Sequence, residues 1–196
     1  VLKRRFALAC LLVFSALAIV ACGSSGNNDE GQIEEAIETS ATTTNPADCT
    51  KLNTQQFMEQ TAQESGKAAV KKCEEEAEKE EGAESVSVSK VEVDGSSATA
   101  EAALSGGVLD GQTLEVELVK NGDQWQLNEV VKFTKFDRAK LVEFVEEEFT
   151  PSANGPSPKL AACFVEAFQE GSQAEIEELL FSNSSEAFEE LVEACS

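Results

Sequence analysis

The sequence has no histidine and no tyrosine, and only one tryptophan, one methionine and four prolines in 196 residues. Without histidine the commonest general base at neutral pH is missing, so Ser-His-Asp and Cys-His nucleophilic devices and histidine-bearing zinc sites are excluded. Positive charge is scarce too: 15 Lys and Arg face 37 Asp and Glu, a formal charge of −22. A field of that sign repels phosphate backbones and anionic headgroups, which excludes nucleic acid as a partner. There is no CxxC pair, no phosphate-binding GxxxxGK[ST] loop, no dinucleotide fingerprint and no D-x-[DN]-x-[DN]-G calcium loop, so neither a metal nor a cofactor is expected. Long apolar runs are limited to one, residues 6–21, which falls short of the roughly 20 residues needed to cross a bilayer.

That run follows Lys3, Arg4 and Arg5 and ends in LAIVACGSSG, the layout of a secretory signal peptide. Ile19-Val20-Ala21-Cys22 resembles the lipobox of bacterial lipoproteins, and the resemblance implies that residues 1–21 are removed and that Cys22 carries lipid, palmitate included. An uncleaved anchor with an incidental cysteine accounts less well for the short run and the GSS flank. The expected location is the extracytoplasmic face of a bacterial membrane. The mature chain would keep 12 Lys and Arg against 37 Asp and Glu, a charge of −25, so the acyl chains alone would hold it there, at about 0.8 kcal/mol per buried methylene. Residues 22–31 read as the lipidated cysteine and a flexible tether, and the polar tract 23–31 would span roughly 15 to 18 Å.

With Cys10 in the discarded segment and Cys22 lipidated, four cysteines remain: Cys49, Cys73, Cys163 and Cys195. Thiols outside the cytoplasm are usually oxidised in pairs. Three connectivities exist on paper, and the split into an early and a late set favours Cys49 with Cys73 and Cys163 with Cys195.

From Gln32 the pattern is helical, with Ile33, Ala36 and Ile37 on one side and glutamates on the other, until Asn45-Pro46 breaks it. Asn53 or Thr54 can cap a short helix carrying Phe57 and Met58, and Ser65-Gly66 opens a third, KAAVKKCEEEAEKE. After Gly82 the period changes to alternation. Four strands are expected at 85–93, 97–104, 113–120 and 124–133, with turns at Asp94-Gly95 and Asn121-Gly122. Val86 and Val88 stand in one phase and Val91 and Val93 in the other, which predicts a bulge near Ser89-Lys90. In the last strand Trp125, Leu127, Val131 and Phe133 share one phase and are expected inside. The fold class is therefore α+β, with N-terminal helices packed on a curved four-stranded antiparallel sheet. The order of elements, the bent meander and the phrase NGDQWQLNEVVKF resemble the nuclear transport factor 2-like, or cystatin-like cone, superfamily over about residues 30–133, especially its small bacterial lipoprotein members. The resemblance implies a cone-like domain at 32–134 with a cavity between helices and sheet, where Phe57 and Trp125 are candidates for the lining.

Beyond Phe136 the period is helical to the end, and residues 135–196 are expected to form a small acidic all-α domain. Asp137, Ser157 before Pro158, Ser172 with Glu175, and Asn183 with Glu186 are its cap candidates. A Cys163–Cys195 link would staple its few large apolar residues, Phe164, Phe168, Leu179, Leu180, Phe188 and Leu191.

No catalytic residue stands out. Asp29 falls in the expected tether, Asp48 beside a proline turn, Asp94, Asp110 and Asp123 in turns, and Asp137 at a cap. The glutamate runs 74–76 and 146–148 read as solvated helix faces, and Glu101, Glu115 and Glu117 as outward strand residues. The expected function is that of a non-catalytic, lipid-anchored envelope protein that binds a cationic partner protein or a small apolar ligand. The alternative is a cone-pocket enzyme, an isomerase or hydrolase, that uses Glu101 or Asp110 with its pKa raised by burial.

Overall fold

The structure, a computed structural model, describes residues 26–79, 82–149, 157–182 and 186–195, with side chains from residue 28 onward. The signal segment 1–21, Cys22 and the Asn183 cap lie outside the described residues. Helices α1 (Gly26–Thr42), α2 (Ala47–Leu52), α3 (Gln55–Ala62) and α4 (Lys67–Glu78) come first. Strands β1 (Ser85–Asp94), β2 (Ser97–Ser105), β3 (Thr113–Asn121) and β4 (Gln124–Lys135) follow, then α5 (Arg138–Glu148), α6 (Pro158–Glu170), α7 (Gln173–Phe181) and α8 (Glu186–Cys195). The strands form one open antiparallel sheet in the order β1-β2-β3-β4. The protein is thus a mixed α and β fold in which several helices accompany a four-stranded antiparallel meander.

Helix starts obey local chemistry. Thr54 Oγ1 accepts from the Phe57 amide, Asp137 from Lys140, and Ser157, just before Pro158, from Leu160. Ser172 and Glu175 form a reciprocal capping box. Each cap satisfies an amide that the helix itself leaves unpaired, typically contributing about 1 kcal/mol.

The sheet turns one face to the core: Ala98, Ala100 and Ala102 from β2, Leu114, Val116 and Leu118 from β3, and Trp125, Leu127, Val130 and Phe133 from β4. Against them lie Ile33, Ala36 and Ile37 of α1, a helix that contacts both edge strands, β1 and β4. The bulge expected in β1 is present: the register with β2 shifts between Ser89 and Glu92, and Lys90 sits at φ 52°. A second irregularity was not foreseen. The β3–β4 register shifts between Glu115 and Val116 and again between Glu117 and Leu118, so Val130 turns inward while Val131 is 37% exposed. This corrects the strict alternation expected for β4, because an inserted residue reverses the side-chain phase beyond it.

Packing is continuous across the passage from strand to helix at residues 135–138. Phe164, Phe168, Ile176 and Cys195 belong to the same apolar cluster as Trp125 and Leu118. Polar ties cross the same line. Glu177 accepts from the Phe133 amide (2.7 Å), and Gln173 donates to the Phe133 carbonyl (3.0 Å). Both local cysteine pairs form: Cys49 with Cys73 (Cα–Cα 6.0 Å) and Cys163 with Cys195 (5.6 Å). The first joins α2 to α4 over a satellite core of Met58 and Ala69, and the second joins α6 to α8.

The N-terminal tether needs correction. Residues 26–31 are the first turns of α1, and Asp29 is buried. Its Oδ1 accepts from Trp125 Nε1 (3.2 Å) and from Lys120 Nζ (2.5 Å), whose ammonium lies 5.3 Å from the indole centroid. Composition pointed to a spacer because glycine, asparagine and serine predominate there. The partners that order it are about ninety residues away in sequence.

Candidate functional site

A cavity of about 320 Å³ opens among the helices, the β2–β3 loop and one residue of β4. Its apolar wall comprises Ala41 at the end of α1, the Cys49–Cys73 disulfide, Ala77 of α4, Val108 and Leu109 of the β2–β3 loop, Val130 of β4, and Leu180 and Phe181 of α7. Ser40, Thr43, Asn53, Thr61 and Glu76 supply its polar groups. Helices α1 to α4, the β2–β3 loop, β4 and α7 therefore converge on one space.

Two glycines bring the chain close enough to form one side of the wall. A Cβ on Gly82 would stand 2.7 Å from the Ala41 carbonyl oxygen, where Ala83 donates its amide (2.8 Å), and a Cβ on Gly107 would stand 2.9 Å from the Gly82 carbonyl oxygen. Gly107 also has a φ of +67°, which disfavours any residue with a side chain. The loop that carries Val108 and Leu109 is secured at its end. Asp110 accepts from the Gly106 amide (2.8 Å) and pairs with Lys140, and that ammonium, followed by the amide, holds the Asp110 carboxyl below the ordinary carboxylate range. Just beyond, buried Gln112 donates to the Asp137 carbonyl and accepts from the Asp137 amide, both at 2.8 Å.

Gln60 of α3 does the same on the other side. Fully buried, it accepts from the Val130 amide (2.7 Å) and donates to the carbonyls of Val130 (3.0 Å) and Phe181 (2.6 Å). It therefore fixes the irregular stretch of β4 to the end of α7, at the place where both contribute to the cavity wall. Neither Gln60 nor Gln112 was found by sequence reasoning. A glutamine in QQFMEQTAQ carries no periodic signal to separate a buried clamp from a solvated side chain.

Trp125 and Phe57, the candidates for pocket lining, are not among the residues that border this cavity. Trp125 is 1% exposed and its indole N–H is taken by Asp29, while Phe57 packs half-buried against the main core. The two carboxylates of the enzyme alternative are occupied elsewhere. Glu101 faces outward and pairs with Lys90 (2.8 Å), and at Asp110 the pKa moves opposite to the direction that alternative requires. Glu76 is the single acidic side chain in the described lining, and it pairs with Lys72 (3.3 Å) on a well-exposed helix face. Among the described residues no group of three or more His, Cys, Asp or Glu could hold a metal ion, and no helix is long and apolar enough to cross a membrane.

A second concavity, about 710 Å³ and more open, runs along α7 and α8. Leu179, Leu191 and three alanines form its floor, and Glu175, Glu178, Glu186 and Glu190 its sides.

Compared with known proteins, the chain matches no family model, no curated protein and no solved structure.

Proposed function

We propose that this protein is a lipid-anchored, extracytoplasmic binding protein, cone-like in its helix and sheet layers, whose internal cavity takes a small apolar ligand without chemical turnover. The cavity itself carries the reading: its volume lies within the range of small-molecule sites, its walls are largely apolar, and a few polar groups converge on it. Among the described lining residues the one acid is ion-paired and exposed, so none of them places a buried acid-base group beside the space a substrate would fill. Support for the cone-like description comes from α1, which touches both edges of the sheet as an enclosed helix would. Support for the anchor comes from Lys3, Arg4, Arg5 and the lipobox-like approach to Cys22, the lipid being checked by the intact mass of detergent-extracted protein.

The cavity is tested with the full chain and the neutral apolar dye N-phenyl-1-naphthylamine, whose emission rises on leaving water. Wild-type protein binds it, and Ala77→Phe, which places a ring in the cavity, weakens binding at least tenfold. Val108→Trp, at the exposed rim, weakens it as well with less risk to folding. Dye binding unchanged by both variants would falsify the proposal.

The groove on α7 and α8 favours a second role, contact with a cationic protein, because an apolar floor between four glutamates matches a basic amphipathic helix. Such binding would weaken steeply from low to physiological salt. Salt-insensitive binding would count against it.

A further inference from the structure

We infer that the cavity selects an uncharged ligand bearing a hydrogen-bond acceptor, such as a ketone, ester or amide carbonyl, and that Asn53 receives it. The inference rests on the apolar-ligand reading and adds the ligand's polar chemistry. Asn53 follows α2 and is 6% exposed, held by a backbone bond from its amide to the Cys49 carbonyl and by a bridge to Leu127 of β4. Its Oδ1 accepts from Ser40 Oγ (2.6 Å), and Ser40 also lines the cavity, which fixes the amide end on that side. Among the described residues no protein acceptor meets Asn53 Nδ2. Nor is that atom among the fully enclosed polar atoms without a partner, and Asn53 borders the cavity as well as a shallower concavity formed with Thr50, Lys120 and Gln126.

The neighbouring side-chain donors are already engaged: Ser40 with Asn53, Thr43 with Asp48 (2.8 Å) and Thr61 with the Phe57 carbonyl (2.9 Å). Among the described lining residues a ligand thus meets one amide donor without a protein partner, beside hydroxyls that are already engaged. Leaving that donor unpaired beside bound hydrocarbon is costly, whereas a carbonyl oxygen on the ligand would satisfy it. Charge decides against a carboxylate ligand. No Lys or Arg lines the described cavity, Glu76 stands at its edge, and the whole chain is strongly negative, so an anion would lose its hydration with no cation in return.

The test compares acetophenone with its near-isostere α-methylstyrene, in which a methylene replaces the carbonyl oxygen, as competitors of N-phenyl-1-naphthylamine on the full chain. α-Methylstyrene is the more hydrophobic, so the informative quantity is the ratio of the two affinities in wild type and variant. Asn53→Leu should shift that ratio against acetophenone by about three- to tenfold, the worth of one net hydrogen bond. Asn53→Asp keeps the shape and the bond from Ser40 but removes the donor; it should shift the ratio the same way and raise the affinity for benzylamine. Circular dichroism confirms that each variant is folded. An unchanged ratio in folded Asn53→Asp, or benzoate binding as tightly as acetophenone in wild type, overturns the inference and leaves the cavity standing. Absence of dye binding to wild type refutes the cavity reading itself.

Discussion

The two apolar regions of the molecule are built on different economies. Beneath the sheet, Trp125, Phe133, Leu118, Phe164 and Ile37 meet in one large cluster, and side-chain size does most of the work. Around α2, α3 and α4 the cluster amounts to Cys49, Met58 and Ala69, with Ala62, Val70 and Cys73 at its edge. So small a set removes little area from water. A covalent link between α2 and α4 supplies there what large side chains supply under the sheet, by limiting the unfolded chain. The cavity lies on the side of the sparse layer, with the disulfide as part of its wall. Weak filling and empty space go together.

The most severe way to break this comparison is Trp125→Ala. Removing a buried indole should cost about 3 to 5 kcal/mol and lower the unfolding midpoint of sheet and helices together, read by circular dichroism in urea. If α2–α4 melted apart from the sheet in that variant, the two regions would be less coupled than their shared strand β4 implies. Next comes the double change Cys49→Ser and Cys73→Ser, expected to cost about 2 to 4 kcal/mol. Its mark is locality: hydrogen exchange should accelerate in Lys67–Glu78 while the amides of Thr113–Asn121 stay protected. Uniform acceleration would mean that the disulfide serves the whole fold.

The smallest effect concerns Asp29. Lys120, and after it the Trp125 indole, holds its carboxyl below the ordinary range. A group depressed in the folded state contributes stability that is complete above its unfolded pKa, about 3.9, and is lost as pH falls through the folded value. Asp29→Asn should therefore lower stability modestly at neutral pH and blunt its decline below about pH 4. Asp110, Glu59 and Glu175 are depressed too, so part of the acid transition persists. An acid transition identical in the variant and wild type would show that the contact is not coupled to folding.

What the sequence made legible was whatever is decided within a few residues. Thr54, Asp137, Ser157 and Ser172 cap helices through amides three positions away, and the valines of β1 betray their bulge by changing phase. In β4 the adjacent Val130 and Val131 are chemically the same, so the pattern could not reveal which one turned inward. The resemblance led to expecting a cavity lined by Phe57 and Trp125, and neither borders the one described. Asn53, Gln60 and Gln112 are held by partners in other elements, and a polar side chain in a short helix or turn reads as solvated until those partners are placed.

The contact of Asp29 with Lys120 and Trp125 also has a mechanical meaning. If Cys22 carries lipid, three residues separate the anchor from Gly26, where α1 begins, and the four Cα–Cα steps reach at most about 14 Å at full extension. The folded body would then ride against the bilayer with little slack, and any tug from the membrane would enter through the first turn of α1. Asp29 passes that load to β3 through Lys120 and to β4 through Trp125. It would be borne by the paired strands β3 and β4, with the sparse helical layer around the cavity largely out of its path.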